Sequence, residues 1–97
     1  MALISLEARI SPSPDVVGRM IGGELVLLDL ESATYFGLNE VGSRMWTLMG
    51  ELGSLRQVCD AVSREYDVSR AQLEGDLLAL ARELHEKGLL QVTGGNR

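Results

Sequence analysis

The side chains best suited to catalysis are few in this chain and lie far apart in it. Among 97 residues there is one histidine, His85, and one cysteine, Cys59. A zinc site needs about four ligands at short spacings, and His85 has no such neighbours. We expect it to be a surface or boundary residue on the flank of a helix. Cys59 stands among apolar helix positions, which favours a small core residue over a reactive thiol.

Carboxylates and glycines offer no stronger sign of chemistry. Four acidic residues gather in the C-terminal half, and a solvated helix face explains them better than an acid–base pair: Glu74, Asp76, Glu83 and Glu86. Gly22-Gly23 lies between two strand-like runs, and no glycine-rich turn leads into a helix with a following lysine. The sequence therefore predicts no enzyme, no cofactor and no metal site.

Charge and composition narrow the class of protein. Nine basic and fourteen acidic residues give a formal charge of −5. Proteins that bind a phosphate backbone normally carry a basic stripe, so we expect no nucleic-acid partner. The first ten residues have no basic segment and no long apolar run, which predicts neither a signal peptide nor a membrane partner. One cysteine excludes an internal disulfide and suits a reducing cytosol, so we expect a cytoplasmic protein.

A three-stranded antiparallel meander is predicted in the first half of the chain. Its first two strands, Val16–Ile21 and 24–30, are apolar runs separated by Gly22-Gly23. Such a pair is typical of a tight hairpin turn, because both positions need positive φ. Glu31-Ser32 then reverses the chain into the third strand, 33–38.

Three helices are predicted to follow the meander. Asn39 is a suitable N-cap for the first, which we expect to end near Gly50. Ser54 and Ser69 each have a glutamine three residues later, a capping-box pattern that begins the second and third helices. The second should end near Tyr66, and Lys87-Gly88 should end the third. The expected core stripe of the third helix is Leu73, Leu77, Leu80 and Leu84.

These elements predict one α+β domain over residues 15–92, between an N-terminal arm and a flexible tail. The arm, 1–14, contains an alternating pattern, but Pro12 and Pro14 are expected to interrupt any sheet there. The tail is 93–97, and the segment 89–92 before it is expected either to form a short strand or to pack.

The third strand of the meander raises the question of what covers it. As an outer strand it presents unpaired N–H and C=O groups, which natural sheets usually guard with lysine, proline or a bulge. Residues 33–37 contain no such guard. The N-terminal arm, the third helix or a second copy of the chain could cover this edge. Alternatively, a peptide from another chain could add a strand to the sheet.

Two stretches resemble the PqqD-like family, the recognition elements for ribosomally synthesised and post-translationally modified peptides. They are GELVLLDLESATYFGLNEVGSRMW, 23–46, and LEGDLLALARELHEKGLL, 73–90. The most specific residues are Tyr35-Phe36, Leu38-Asn39 with Val41-Gly42, Trp46, Asp76 ahead of the leucine stripe, and Gly88-Leu89. The resemblance implies a winged helix-turn-helix-like fold with three strands followed by three helices. It also implies that a precursor's leader binds as an added strand between the third strand and the third helix.

A free-standing chain of this size suits lasso-peptide clusters, where such a protein hands the precursor to a leader peptidase. A partner of another kind, such as a different modifying enzyme, stays open. The predicted peptide-binding residues are Ala33, Thr34, Tyr35, Phe36, Gly37, Asp76, Leu77, Leu80 and Glu83. Alternation predicts that Phe36 shares the inner face of the sheet with Leu38, whereas Tyr35 points away.

The sequence leaves three points open. Either flank of the third helix could line the groove: one carries Leu78, Ala81 and His85, and the other carries Asp76, Ala79, Glu83 and Lys87. A small winged-helix DNA-binding regulator is a second possible function, although it would need a basic recognition helix and the second helix offers only Arg56 and Arg64. A non-catalytic structural subunit of an enzyme complex is a third.

Overall fold

The computed structural model describes residues 4–95. Strands come first, three helices follow, and a strand closes the described chain. The elements are β1 (Arg9–Pro12), β2 (Val16–Ile21), β3 (Glu24–Asp29), β4 (Thr34–Leu38), α1 (Glu40–Leu52), α2 (Leu55–Glu65), α3 (Arg70–Glu86) and β5 (Leu90–Gly94). The fold is therefore α+β, with the predicted three-stranded antiparallel sheet and three helices.

The meander forms a sheet in the order β2-β3-β4, with β3 at its centre. Gly22 and Gly23 close the first hairpin with φ of 60° and 86°, values that favour glycine. The third strand begins at Thr34, one residue later than predicted. Ala33 has φ of 59° and still belongs to the turn, because a strand requires extended backbone.

A second sheet joins the two ends of the domain. β1 pairs antiparallel with β5. The segment 89–92, predicted either to form a short strand or to pack, therefore contributes to a strand. The expectation that Pro12 would interrupt any sheet is wrong. Pro12 is tolerated because ladder hydrogen bonds alternate along β1. The neighbouring Ser13 N–H donates to Leu89 O at 3.0 Å, and Pro12 therefore falls at a position that needs no donor.

The segment predicted to be an arm contributes to the core in its described part, 4–14. The side chains of Ile4, Ala8 and Ile10 are buried. The segment predicted to be a tail begins inside β5, which runs to Gly94. The remainder of both predictions, residues 1–3 and 96–97, lies outside the described residues.

Each helix begins at its predicted cap. The side chains of Asn39, Ser54 and Ser69 accept hydrogen bonds from backbone N–H groups three residues later. α1 continues two residues beyond Gly50, because the left-handed C-cap is Gly53, with φ of 68°. No helix in the described chain has the length and apolar character needed to cross a membrane.

The buried face of α3 differs from the predicted stripe at one position. The buried residues are Leu73, Leu77, Ala81 and Leu84. The prediction of Leu80 as a core residue is therefore wrong: this side chain is half-buried, because it lies on the flank that turns towards β4. Cys59 is fully buried, as predicted, and this burial raises the pKa of its thiol.

Candidate functional site

A groove of about 410 Å³ lies between β4, the first turns of α1 and the middle of α3. Its lining is mostly apolar, with one carboxylate at the rim. The lining residues are Phe36, Gly37, Leu38, Asn39, Val41, Gly42, Met45, Asp76 and Leu80. Four of the predicted peptide-binding residues are therefore brought together here: Phe36, Gly37, Asp76 and Leu80.

Ser43 fixes the corner at which β4 leads into α1. Its buried hydroxyl accepts the Leu25 N–H at 3.0 Å and lies 3.1 Å from Leu38 O and 2.7 Å from Asn39 O, to which it donates. The hydroxyl thus ties the start of β3 to the end of β4. The sequence reasoning missed this residue. A serine one turn after the N-cap, among apolar positions of a helix, was the signal that could have found it.

The hydrogen bonds around β3 reveal which residues of β4 face the open edge. At the start of β3, the Leu25 N–H donates to Ser43 Oγ, which itself lies 3.1 Å from Leu38 O at the end of β4. At the end of β3, Asp29 O accepts the Ala33 N–H at 2.7 Å. Alternate residues of β3 therefore face β4. Since Leu27 lies between these two and pairs with Phe36, Phe36 bonds inward.

It follows that the intervening residues of β4 bond outward. Tyr35 and Gly37 direct both their N–H and C=O groups away from β3. Within residues 4–95 no other strand pairs with β4. The edge that the sequence leaves unguarded is thus open in the described chain, with two residues available for pairing.

Side chains on β4 alternate as predicted. Leu38 is buried, Phe36 is half-buried in the groove, and Tyr35 is 72% exposed on the opposite face. Lys87 Nζ lies 5.9 Å from the centre of the Phe36 ring, within range of a cation–π contact. The Phe36 ring therefore lies both in the groove and beside Lys87 at the C-terminal end of α3.

The beginning of β4 contributes less to the groove. Ala33 is exposed and lies in the turn. Thr34 is half-buried, and its hydroxyl lies 2.8 Å from that of Ser32. Neither side chain lines the groove, so the structure does not bring these two predicted site residues into it.

α3 turns the flank that carries Asp76 towards the groove, which answers the question left open by the sequence. Asp76 and Leu80 line the groove directly. Glu83 is exposed on the same flank but outside the lining, and Leu77 is fully buried beneath it. On the opposite flank His85 is a boundary residue, as predicted, with Nδ1 3.0 Å from Leu90 O.

This arrangement suits an extended peptide better than a reacting small molecule. The open edge offers main-chain donors and acceptors, and a strand added there would place every second side chain in the groove beside it. In the described part of the chain no group of three or more His, Cys, Asp or Glu residues could hold a metal ion.

Two solved structures share this fold. "TbiB1 in Complex with the TbiA(beta) Leader Peptide" has 42% sequence identity and a TM-score of 0.79, over 87% of this chain and 98% of that one. "Lasso peptide synthetase B1 complexed with the leader peptide" has 26% identity and a TM-score of 0.77, over 86% of this chain and 98% of that one. Comparison with curated proteins finds no match.

The fold and its open-edged groove define a PqqD-like recognition element, similar to those of lasso-peptide synthesis. Residues 24–90 match the family described as Coenzyme PQQ synthesis protein D (PqqD), and the chain belongs to this family. The family predicted from the two resembling stretches is thereby confirmed.

Proposed function

We propose that this chain binds the leader region of a ribosomally synthesised precursor peptide and delivers it to a modifying enzyme or leader peptidase. The leader would add to the sheet as a fourth strand beside β4. The observation that carries this proposal is the pair of outward-bonding residues, Tyr35 and Gly37, beside a groove lined by Phe36 and Leu80. Both structural relatives were solved with a leader peptide bound.

Main-chain pairing alone is too weak for this task. Tyr35 and Gly37 offer two groups each, and four hydrogen bonds at a net of about 1 kcal/mol give about 4 kcal/mol. Micromolar binding needs about −8 kcal/mol, and each ordered leader residue costs about 1–2 kcal/mol in backbone entropy. Burial of leader side chains on Phe36 and Leu80 must supply the rest, at roughly 25 cal/mol per Å².

The predicted site residues take different roles in this proposal. Tyr35 and Gly37 bond the leader backbone, while Phe36, Leu80 and Asp76 contact its side chains. Ala33 and Thr34 flank the approach, and Glu83 lies further along the same helix flank. Leu77 supports the groove from the core.

We infer a role as a cytoplasmic, non-catalytic adaptor. A tethered precursor reaches the partner enzyme at a high effective concentration, which raises the enzyme's apparent affinity without a new catalytic group. The order of strands and helices fits the proposed winged helix-turn-helix-like fold, used here for peptide rather than DNA. Arg56, one of the two arginines of α2, forms an ion pair with Glu7, which further weakens a DNA-reading role.

Amide NMR can test the proposal with the TbiA(beta) leader peptide and a duplex DNA as probes. We expect the peptide to shift the amide signals of residues 34–38 together with those of Asp76 and Leu80, and the DNA to shift none. Peptide-induced shifts confined to α2 or to the β1–β5 sheet, or no binding at millimolar peptide, would contradict the proposed site.

A further inference from the structure

We propose that α3 and its C-cap select leaders by the order of their charged side chains. In this proposal Asp76 binds a cationic leader side chain and Lys87 binds an anionic one. This inference rests on the proposed function and concerns which leaders the groove accepts. Main-chain hydrogen bonds form with any sequence, so an added strand needs side-chain contacts to be selected. Opposite charges at the two ends of one helix flank supply such a contact.

Four residues form this flank, at spacings of four, three and four: Asp76, Leu80, Glu83 and Lys87. Such spacings place side chains above one another along a helix. Asp76 and Leu80 line the groove, and Lys87 Nζ lies 5.9 Å from the ring of Phe36, which also lines it. The flank therefore follows β4 from a carboxylate at one end to an ammonium group at the other.

Asp76 and Lys87 are both available to a ligand. The ion pairs of the described residues are Arg44–Glu65, Arg56–Glu7, Arg70–Asp60 and Arg70–Glu74. Neither Asp76 nor Lys87 takes part in them, and both side chains are exposed. Lys87 is four residues from Glu83, yet its ammonium group lies over Phe36 at the groove instead of forming that ion pair.

The geometry also implies a direction. Asp76 lines the groove with residues 36–38, whereas Gly88, the neighbour of Lys87, lies beside Asp29 and Ser32 at the turn before β4. An antiparallel strand pairs somewhat more stably than a parallel one. An antiparallel leader would place its N-terminal part beside Asp76 and its C-terminal part beside Lys87. The preferred leader thus carries Lys or Arg before Asp or Glu.

The spacing of those leader charges follows from helix and strand dimensions. The eleven helical steps from Asp76 to Lys87, the C-cap of α3, span about 16 Å, a distance that a strand covers in roughly five residues. Only every second side chain of the leader faces the helix. The cationic residue should therefore precede the anionic one by four or six positions.

A displayed library of random twelve-residue peptides tests this inference on the full chain. Asp76→Lys/Lys87→Glu reverses the flank without changing net charge. Arg82→Glu/Glu86→Lys makes the matched exchange at exposed positions of α3 outside the flank. Wild type and the control should enrich peptides with a cation four or six residues before an anion, whereas the reversed variant should enrich the opposite order. For one enriched peptide and its charge-swapped version, we expect affinities about tenfold apart, with the preference reversed in the reversed variant.

The outcomes separate this inference from the function on which it rests. Peptides that compete with the TbiA(beta) leader but show no charge order would overturn the inference and leave leader binding intact. The same charge order from wild type and the reversed variant would also overturn it. If no enriched peptide competed with the leader for any variant, the proposed site would fail, and the inference with it.

Discussion

The two outer strands of the meander, β2 and β4, expose similar amounts of main chain but differ in what lies beside them. In β4 the outward-bonding residues are Tyr35 and Gly37. In β2 they are Val16, Gly18 and Met20, because Val17, Arg19 and Ile21 face β3, and the Val16 N–H already donates to Ser13 O at 3.2 Å. A groove of about 410 Å³ with an apolar lining borders β4. Beside the Met20 end of β2 lies a space of about 240 Å³ whose lining includes Glu40, Arg44 and Thr47.

If the proposed site is correct, this difference implies that an open edge alone is not sufficient for peptide binding. Both edges offer hydrogen bonds of similar number and strength, and those bonds are too weak to order a disordered leader. Beside β4 the neighbouring helices contribute Val41, Met45 and Leu80, whereas beside β2 they contribute Glu40, Ser43, Arg44 and Thr47. In the proposed site, the side chains of α3 therefore distinguish β4 from β2 more than its free main-chain groups do.

Proline substitutions at the two edges should have the largest effects on leader affinity and on stability. Tyr35→Pro removes an outward N–H, so we expect a folded protein whose affinity for the TbiA(beta) leader falls at least tenfold. Phe36→Pro and Thr34→Pro remove inward hydrogen bonds and should destabilise the fold by about 1–3 kcal/mol. Met20→Pro, the matched change at the β2 edge, should leave both fold and binding intact.

Melting temperatures and leader affinities, measured beside alanine variants at the same positions, check these outcomes. The alanine variants separate the loss of a side chain from the loss of an N–H. If Tyr35→Pro folded and bound the leader as tightly as Tyr35→Ala, strand addition at β4 would have to be abandoned.

Loss of the Ser43 hydroxyl should lower the stability of the protein, because this hydroxyl ties β3 to the end of β4. Ser43→Ala leaves the buried Leu25 N–H without its partner, so we expect a loss of about 1–3 kcal/mol in the free energy of unfolding. Thr47→Ala removes a hydroxyl from the same helix that bonds only Ser43 O, and should cost less. Equal urea unfolding midpoints for the two variants would contradict this role of Ser43.

The groove itself is tested by leucines on opposite flanks of α3. Leu80→Ala removes apolar surface from the lining, and we expect leader affinity to fall about fivefold to tenfold, or roughly 1 kcal/mol. Leu78→Ala, at a half-buried position on the other flank, should leave affinity unchanged. Calorimetric titration of both variants checks this, and equal losses would place the peptide elsewhere.

Helix caps and tight turns were predictable from the sequence, because they depend on residues that are close together in the chain. The caps at Asn39, Ser54 and Ser69 act within one helical turn, and the hairpin at Gly22-Gly23 is equally local. The β1–β5 sheet was not predicted as such, because pairing between distant segments and the position of Pro12 in the ladder depend on tertiary register.

The site was predictable to a similar degree. Alternation placed Tyr35 and Phe36 on opposite faces, and the resemblance placed the groove between β4 and α3. Helical spacing alone could not decide whether Leu80 or Ala81 would face the core, because that depends on how α3 rotates against its neighbours. The same rotation decides which flank lines the groove.

The smallest expected effect concerns the two turns on either side of β3. The turn before it has glycine at positive φ, whereas the turn after it has Ala33 at φ of 59°. A left-handed conformation costs a non-glycine residue about 1–2 kcal/mol, and glycine also loses more backbone entropy on folding. Ala33→Gly should therefore stabilise the protein by only about 0.5 kcal/mol. Gly22→Ala, with φ of 60° and open space around its Cα, should destabilise it by about 1 kcal/mol.

Thermal unfolding distinguishes these changes in opposite directions, since 1 kcal/mol shifts the melting temperature of a domain this size by roughly 4–8 °C. Both variants should bind the leader as wild type does, because neither residue contributes an outward-bonding group of β4 or a side chain of the groove. If Ala33→Gly lowered the melting temperature, the left-handed turn before β4 would not be under strain. If it weakened leader binding without lowering stability, the approach to β4 would belong to the site, and the contrast between the two edges would then extend to the turn that precedes β4.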